Sequence, residues 1–241
     1  MFSSVLKPGV SLMQRLRMPL KFAIVSFAFL LPLGYVLYVA VTQKNDEMAF
    51  SSKEHIGVVQ IKALLPVLYA QQHARVQRLA ALGAPGRAPT TDAAGIDRLF
   101  TDAVAQIKAQ DDPLDLARAL DDTAQAIRNA AQSRATDPMA LIEVNDRASA
   151  SLLALITLAA DNSNLTLDPD VDTYYLMNML TVLLPNTLEH TSKEVALGGY
   201  LAATADHTPE RLMFLHDAGA RAEEYGGQIA GNLEKVRTAN P

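Results

Sequence analysis

The sequence predicts an all-α chain: one N-terminal transmembrane helix followed by an elongated antiparallel bundle of about four long helices. Three observations predict it. Phe22 to Val41 runs for twenty residues without a charge, about what a helix needs to cross a hydrocarbon core. Beyond it, apolar residues recur three or four apart over most of the chain, the spacing of one buried helical face. No segment of five or more residues alternates with the period of two that marks a half-buried strand.

The apolar run organises everything else. A buried helix of a soluble domain keeps a polar stripe over this length, and this one has none. Pro32 and Gly34 fit a membrane helix, where both residue types are common. Lys7, Arg15, Arg17 and Lys21 precede the run with no acid among them, and positive charge stays on the cytoplasmic side. Residues 1–21 are therefore expected inside, 22–41 in the bilayer, and 43–241 outside, in the periplasm if the membrane is a bacterial inner membrane. A cleaved signal peptide is the alternative. Its apolar core would be shorter, roughly 7–15 residues, and would precede a small-x-small cleavage site that is absent after Val41.

Composition separates the two parts. The first 42 residues carry four basic groups and no acid, leaving 17 basic and 26 acidic residues, a formal charge of −9, for the remainder. That balance argues against a nucleic-acid partner, which needs a basic face. The chain has no Cys, so neither disulfides nor cysteine-metal sites can support it, and no Trp. Stability has to come from ordinary burial.

Taken in order, Ile61, Leu64, Leu65, Leu68, Val76, Leu79 and Leu82 predict a long helix leaving the membrane. Pro66 predicts a kink in it, and the Gly83 to Pro89 run predicts its end. Asp112-Pro113, Asp137-Pro138, Asp168-Pro169 and Thr208-Pro209 each place a capping residue before a proline suited to the first helical turn, predicting four helix starts. Ile96, Leu99, Phe100, Val104 and Ile107 form one apolar face, and Leu116, Leu120, Ala124 and Ile127 a second. A third and longer face runs from Leu141 and Ile142 through Ala148, Leu152, Leu155 and Ile156 to Ala159. After Asp168 the apolar arc widens, which predicts a central helix or one that meets a second subunit. Pro185 and Gly198-Gly199 mark expected irregularities. Leu212, Leu215, Ala218, Ala222, Tyr225, Ile229, Leu233 and Val236 approach a heptad seam.

The opening stretch, from Lys7-Pro8-Gly9 to Arg15-Leu16-Arg17 and the apolar run, and the middle stretch from Asn162 to Leu176 resemble the amino-terminal sensory regions of bacterial methyl-accepting chemotaxis proteins. The resemblance implies a dimeric helical sensor that passes a piston-like or rotational signal across the membrane. It also implies a second span, a linker domain and a signalling hairpin, none of which this sequence contains, so the chain reads as the front part of such a transducer. Similar sensory regions occur on histidine kinases and diguanylate cyclases. A free-standing, membrane-anchored helical interaction protein is a further alternative.

Few constellations carry chemistry. Asp168, Asp170 and Asp172 alternate like the first ligands of a calcium loop, but Thr173 and Met179 stand where glycine and the bidentate glutamate belong. The reading adopted is structural: three acids at a helix start, favoured by its dipole. Arg75 and Arg78 are ligand candidates, because guanidinium forks grip carboxylates and arginines of the corresponding helix hold the ligand in aspartate-type receptors. Solvated helix-face arginines are the plain alternative. Tyr174 and Tyr175, beside the polar Asn162-Ser163-Asn164 turn, could line a small-molecule cleft. Five histidines show no i,i+4 pairing, no catalytic signature is present, and no metal, cofactor or enzymatic activity is expected. The expected partners are the lipid bilayer, a second copy of the chain and a small-molecule ligand.

Overall fold

A computed structural model describes residues 16–84, 93–110, 112–167 and 170–240. Among these residues every regular element is helical and no strand occurs, so the chain is all-α. In order they are α1 (Met18–Gly83), α2 (Ala93–Lys108), α3 (Ala117–Gln132), α4 (Pro138–Asn162), a 3-10 turn (Leu165–Leu167), α5 (Val171–Asn178), a π-helical turn (Met179–Leu183), α6 (Leu184–Thr204) and α7 (Pro209–Ala239). The chain divides into two compact units, one ending at Ser51 and the other beginning at Ser52.

In the first unit the backbone is helical from Met18 onward, and Pro32 and Gly34 lie within that helix without ending it. Phe22, Phe27, Phe29, Leu33, Tyr35 and Leu37 all stand exposed. A helix apolar on every side requires apolar surroundings all round. It is long and apolar enough to cross a membrane. Lys7 and Arg15 of the basic entry lie outside the described residues.

The second unit is a helical bundle. Gln71 bonds Asn145 and Gly57 lies against Ser163, so α1 and α4 run antiparallel. Gln72 meets Glu189 while Gly83 meets Tyr200, so α1 and α6 run parallel. Asn178 with Asn232, and Glu194 with Gly219, fix α7 antiparallel to the α5–α6 stretch. Thr123 with Ser151, and Leu114 with Asn162, do the same for α3 and α4.

Two apolar cores result. The larger takes Ile61, Leu64 and Leu68 of α1, Phe100 and Ile107 of α2, Leu120 and Ile127 of α3, and Leu152, Leu155 and Ile156 of α4. The smaller takes Leu79, Leu141, Ile142, Leu197, Tyr200 and Leu201. Each fully buried leucine or isoleucine contributes roughly 2 kcal/mol. The three expected apolar faces are thus found where the spacing places them, with Leu99 left partly exposed.

The ends of the helices depart from the sequence reading in instructive ways. Asp137 caps α4 as expected, its carboxylate accepting from the Met139 and Ala140 N–H groups at 2.7 and 3.1 Å. Pro209 opens α7 after Thr208. Asp112-Pro113 does not open a helix. Asp112 takes a positive φ of 47°, and its carboxylate reaches forward to accept from Leu116 and Ala117 N–H, so the first turn of α3 is capped from a loop four residues back. Asp168-Pro169 lies outside the described residues, and α5 begins at Val171. α1 stays helical through Pro66 and ends at Gly83 as expected, while residues 85–92 lie outside the described residues.

Pro185 does mark an irregularity: it is the second residue of α6, which follows the π-helical turn directly. Lacking an N–H, it withdraws a donor from the preceding turn. Thr181, Asn186 and Thr187 side chains donate to the carbonyls of Met177, Val182 and Leu183 across the same stretch. Gly198 and Gly199, by contrast, sit in regular helix. Gly198 faces Leu215, and an added Cβ there would meet only an ordinary contact at 3.6 Å. The expected seam of α7 is not closed within the chain, because only Ala218 and Asn232 of that helix are buried and Leu212 and Leu233 are about half exposed.

Candidate functional site

The two cores are separated by a polar layer. On α1, Gln71, Gln72 and Arg75 lie between the core residues Leu68 and Leu79, all three buried, with the small Ala74 as the one buried apolar side chain among them. On α4 the corresponding interval holds Asn145 and Asp146; on α6 it holds Glu189, Ser192 and Lys193. Residues three and four apart share a helical face, so Glu189, Ser192 and Lys193 point the same way.

Arg75 is the centre of this layer and is wholly buried. Its Nη1 and Nη2 donate to the two Glu189 oxygens at 2.7 Å each, and Nη2 also donates to Ser192 Oγ at 2.6 Å. Nη1 donates to Asp146 Oδ1 as well. Gln72 donates to Glu189 at 3.1 Å, and Lys193 closes the circuit at 2.9 Å from Asp146 and 3.3 Å from Glu189. Burial alone would push the Glu189 carboxyl up, but the hydrogen bonds and charge of Arg75 outweigh it and hold the group below its ordinary range. The same partners more than offset the burial of Arg75. Two cations and two carboxylates leave the cluster formally neutral. A guanidinium gripped on two sides in this way is an internal strut, so the solvated-arginine reading fails for Arg75.

Arg78 lies one turn further along α1 in different surroundings. Its Nη1 donates to the Ala130 carbonyl, which also accepts from the Ser133 N–H, and its Nη2 to the Ser133 carbonyl at 2.6 Å, at the C-terminal end of α3. Among the described residues no carboxylate pairs with it. Burial, unopposed, lowers its pKa. The side chain lines a cavity of about 260 Å³ together with the buried amides Gln71 and Asn145 and the apolar Ala74, Ile96 and Ile127.

A larger cleft of about 710 Å³ opens between α4, α6 and α7, with Asp146, Glu189 and Lys193 of the polar layer in its floor. His190 stands in its wall, stacked on Tyr225 at 5.6 Å with the rings 12° from parallel. Burial, reinforced by Lys193, pushes the His190 imidazole below its ordinary value. Among the described residues no group of three metal-ligating side chains comes together. Asp168 is outside the described residues, so the Asp168, Asp170, Asp172 alternation is not seen as a set.

The chain matches no family model, no curated protein and no solved structure. Geometry and chemistry therefore carry the functional reading. Of the four candidate ligand residues, Arg75 and Arg78 face different neighbours, and Tyr174 and Tyr175 form a third locality. The tyrosine rings meet edge to face at 5.2 Å, with Lys235 Nζ 4.5 Å from the Tyr175 centroid. They precede Glu189 by about 20 Å of helix at the usual rise per residue. The sequence reading did not find Glu189, Asp146, Asn145 or Lys193. Their signal was the interruption of the apolar track at matching heights on three helices.

Proposed function

We propose that the chain is a membrane-anchored, non-enzymatic sensory region, of the kind found in bacterial chemotaxis transducers. Its apolar helix sits in the cell inner membrane, and its acidic bundle lies on the periplasmic side. The observation that carries this reading is Arg78: a half-buried cation that pairs with no carboxylate among the described residues and lines a small cavity beside two buried amides. A partly desolvated guanidinium favours a small carboxylate ligand, which supplies charge and hydrogen bonds together. The ligand acts by favouring one packing of the bundle over another, and can shift that balance only by its differential affinity for the two. The polar layer beside the cavity is suited to such a choice, because its hydrogen bonds fix one relative placement of α1, α4 and α6.

Leu176, Leu180, Leu184, Leu188 and Val195 form an uncovered apolar row along α5 and α6. Covering that row supports a homodimer, in which repacking passes between subunits. A histidine kinase or cyclase output would use the same sensory device.

The test is thermal unfolding of the full chain in lipid nanodiscs with acetate, succinate and aspartate, for the wild type and Arg78→Gln. At least one acid should raise the wild-type midpoint and leave Arg78→Gln unmoved. No shift with any acid, or equal shifts in both proteins, would overturn the reading.

A further inference from the structure

The cleft between α4, α6 and α7 carries an inference that does not depend on the Arg78 cavity. We propose that it binds an organic monocation with an apolar body, the cationic head lying between the Glu210 carboxylate and the Phe214 ring.

Its volume, about 710 Å³, falls in the range of small-molecule sites. Met139, Ile142, Leu153 and Phe214 give it an apolar wall. The sign of the ligand follows from which charges in that wall are already satisfied. Lys193 is held by Asp146 and Glu189, and Arg147 by Glu143. No cation of the wall is therefore left to receive an anion. Asp146 and Glu189 are neutralised from behind by Arg75. Glu210 differs from the other three carboxylates of the wall, since it forms no ion pair with any described residue. Its neighbour Arg211 is turned away, clasped by Asp137 and Asp206 and stacked over Tyr200.

Glu210 and Phe214 are four residues apart on α7, so acid and ring share one helical face. Glu210 lies in the first turn of α7, where the helix dipole favours a negative charge. An aromatic face beside a carboxylate is a favourable place for an ammonium, the ring attracting the cation through its quadrupole. His190, kept neutral by its surroundings, adds a second ring to the wall without adding a charge that would repel a cation.

The experiment is isothermal titration of the full chain, in nanodiscs of uncharged lipid, with benzyltrimethylammonium and with phenylacetate. The cation should bind saturably and the anion should not. Glu210→Gln, at an exposed position where the fold is undisturbed, should weaken cation binding about two- to fivefold. Phe214→Leu should weaken it about threefold or more. Arg78→Gln should leave it unchanged, which separates this site from the carboxylate cavity. Absence of saturable cation binding, equal affinity in Glu210→Gln and wild type, or equal binding of phenylacetate would overturn the proposal.

Discussion

Arg75 and Glu189 face each other fork to fork, Nη1 to Oε1 and Nη2 to Oε2, both at 2.7 Å, with no side-chain exposure for the arginine and 5% for the glutamate. They join α1 to α6 at the level where the apolar cores of the bundle give way to one another. An ion pair in this position costs desolvation on both sides and is compensated only by its partners.

That balance predicts an asymmetry. Removing one member, as in Arg75→Met or Glu189→Leu, leaves a buried charge and should destabilise the bundle by about 3–5 kcal/mol. The double variant should recover most of the loss, because two apolar side chains of similar volume replace the pair and Asp146 keeps Lys193 as its partner. Urea unfolding of the four proteins of the cycle measures it. A double variant as unstable as the sum of the single ones would show that the layer is held by something other than this pair.

The pH dependence has two limbs with the same sign. Glu189 has a depressed folded pKa, so its contribution is complete above the unfolded value, about 4.3, and is lost as the pH falls through the folded one. His190 also has a depressed folded pKa; its neutral form is favoured in the fold, so stability declines as the pH drops from about 6.5. Lys193, Glu189, Arg221 and Asp217 are the charges around it. Unfolding midpoints between pH 8 and 3 should fall in two stages. His190→Gln should remove the first stage, and Glu189→Gln, less stable at neutral pH, should flatten the second.

Close approach of α1 to the end of α4 depends on Gly57. A Cβ added there would run into the Cβ and Oγ of Ser163 and come within 3.0 Å of Leu165. Gly57→Ala should cost about 1–3 kcal/mol through overpacking. Ser163→Ala retains the colliding Cβ and should not rescue it, whereas Ser163→Gly should restore part of the loss. Thermal unfolding of the single and double variants distinguishes these outcomes.

Periodicity made the helices legible, since Leu152, Leu155 and Ile156 or Leu120 and Ile127 can be buried together only on a helix. The apolar run was legible because length and absence of charge suffice. The candidate site was not, for a physical reason. A buried Glu189 satisfied by Arg75 from more than a hundred residues away leaves no local pattern beyond a gap in the apolar track. Asp112 was misread for a related reason: a carboxylate caps whichever N–H groups its backbone conformation lets it reach, and a positive φ lets this one reach past the proline.

In the proposed arrangement the apolar helix holds the chain in a bilayer with the acidic bundle on the far side. The chain has no Cys, so one introduced at the exposed Gln132 is a unique reporter. Spheroplasts expressing Gln132→Cys are treated with a membrane-impermeant maleimide, and the membranes are then washed with carbonate. Labelling without lysis, with the labelled protein retained in the washed membranes, is the predicted result. Labelling only after lysis, or recovery of the labelled protein in the wash, would contradict it.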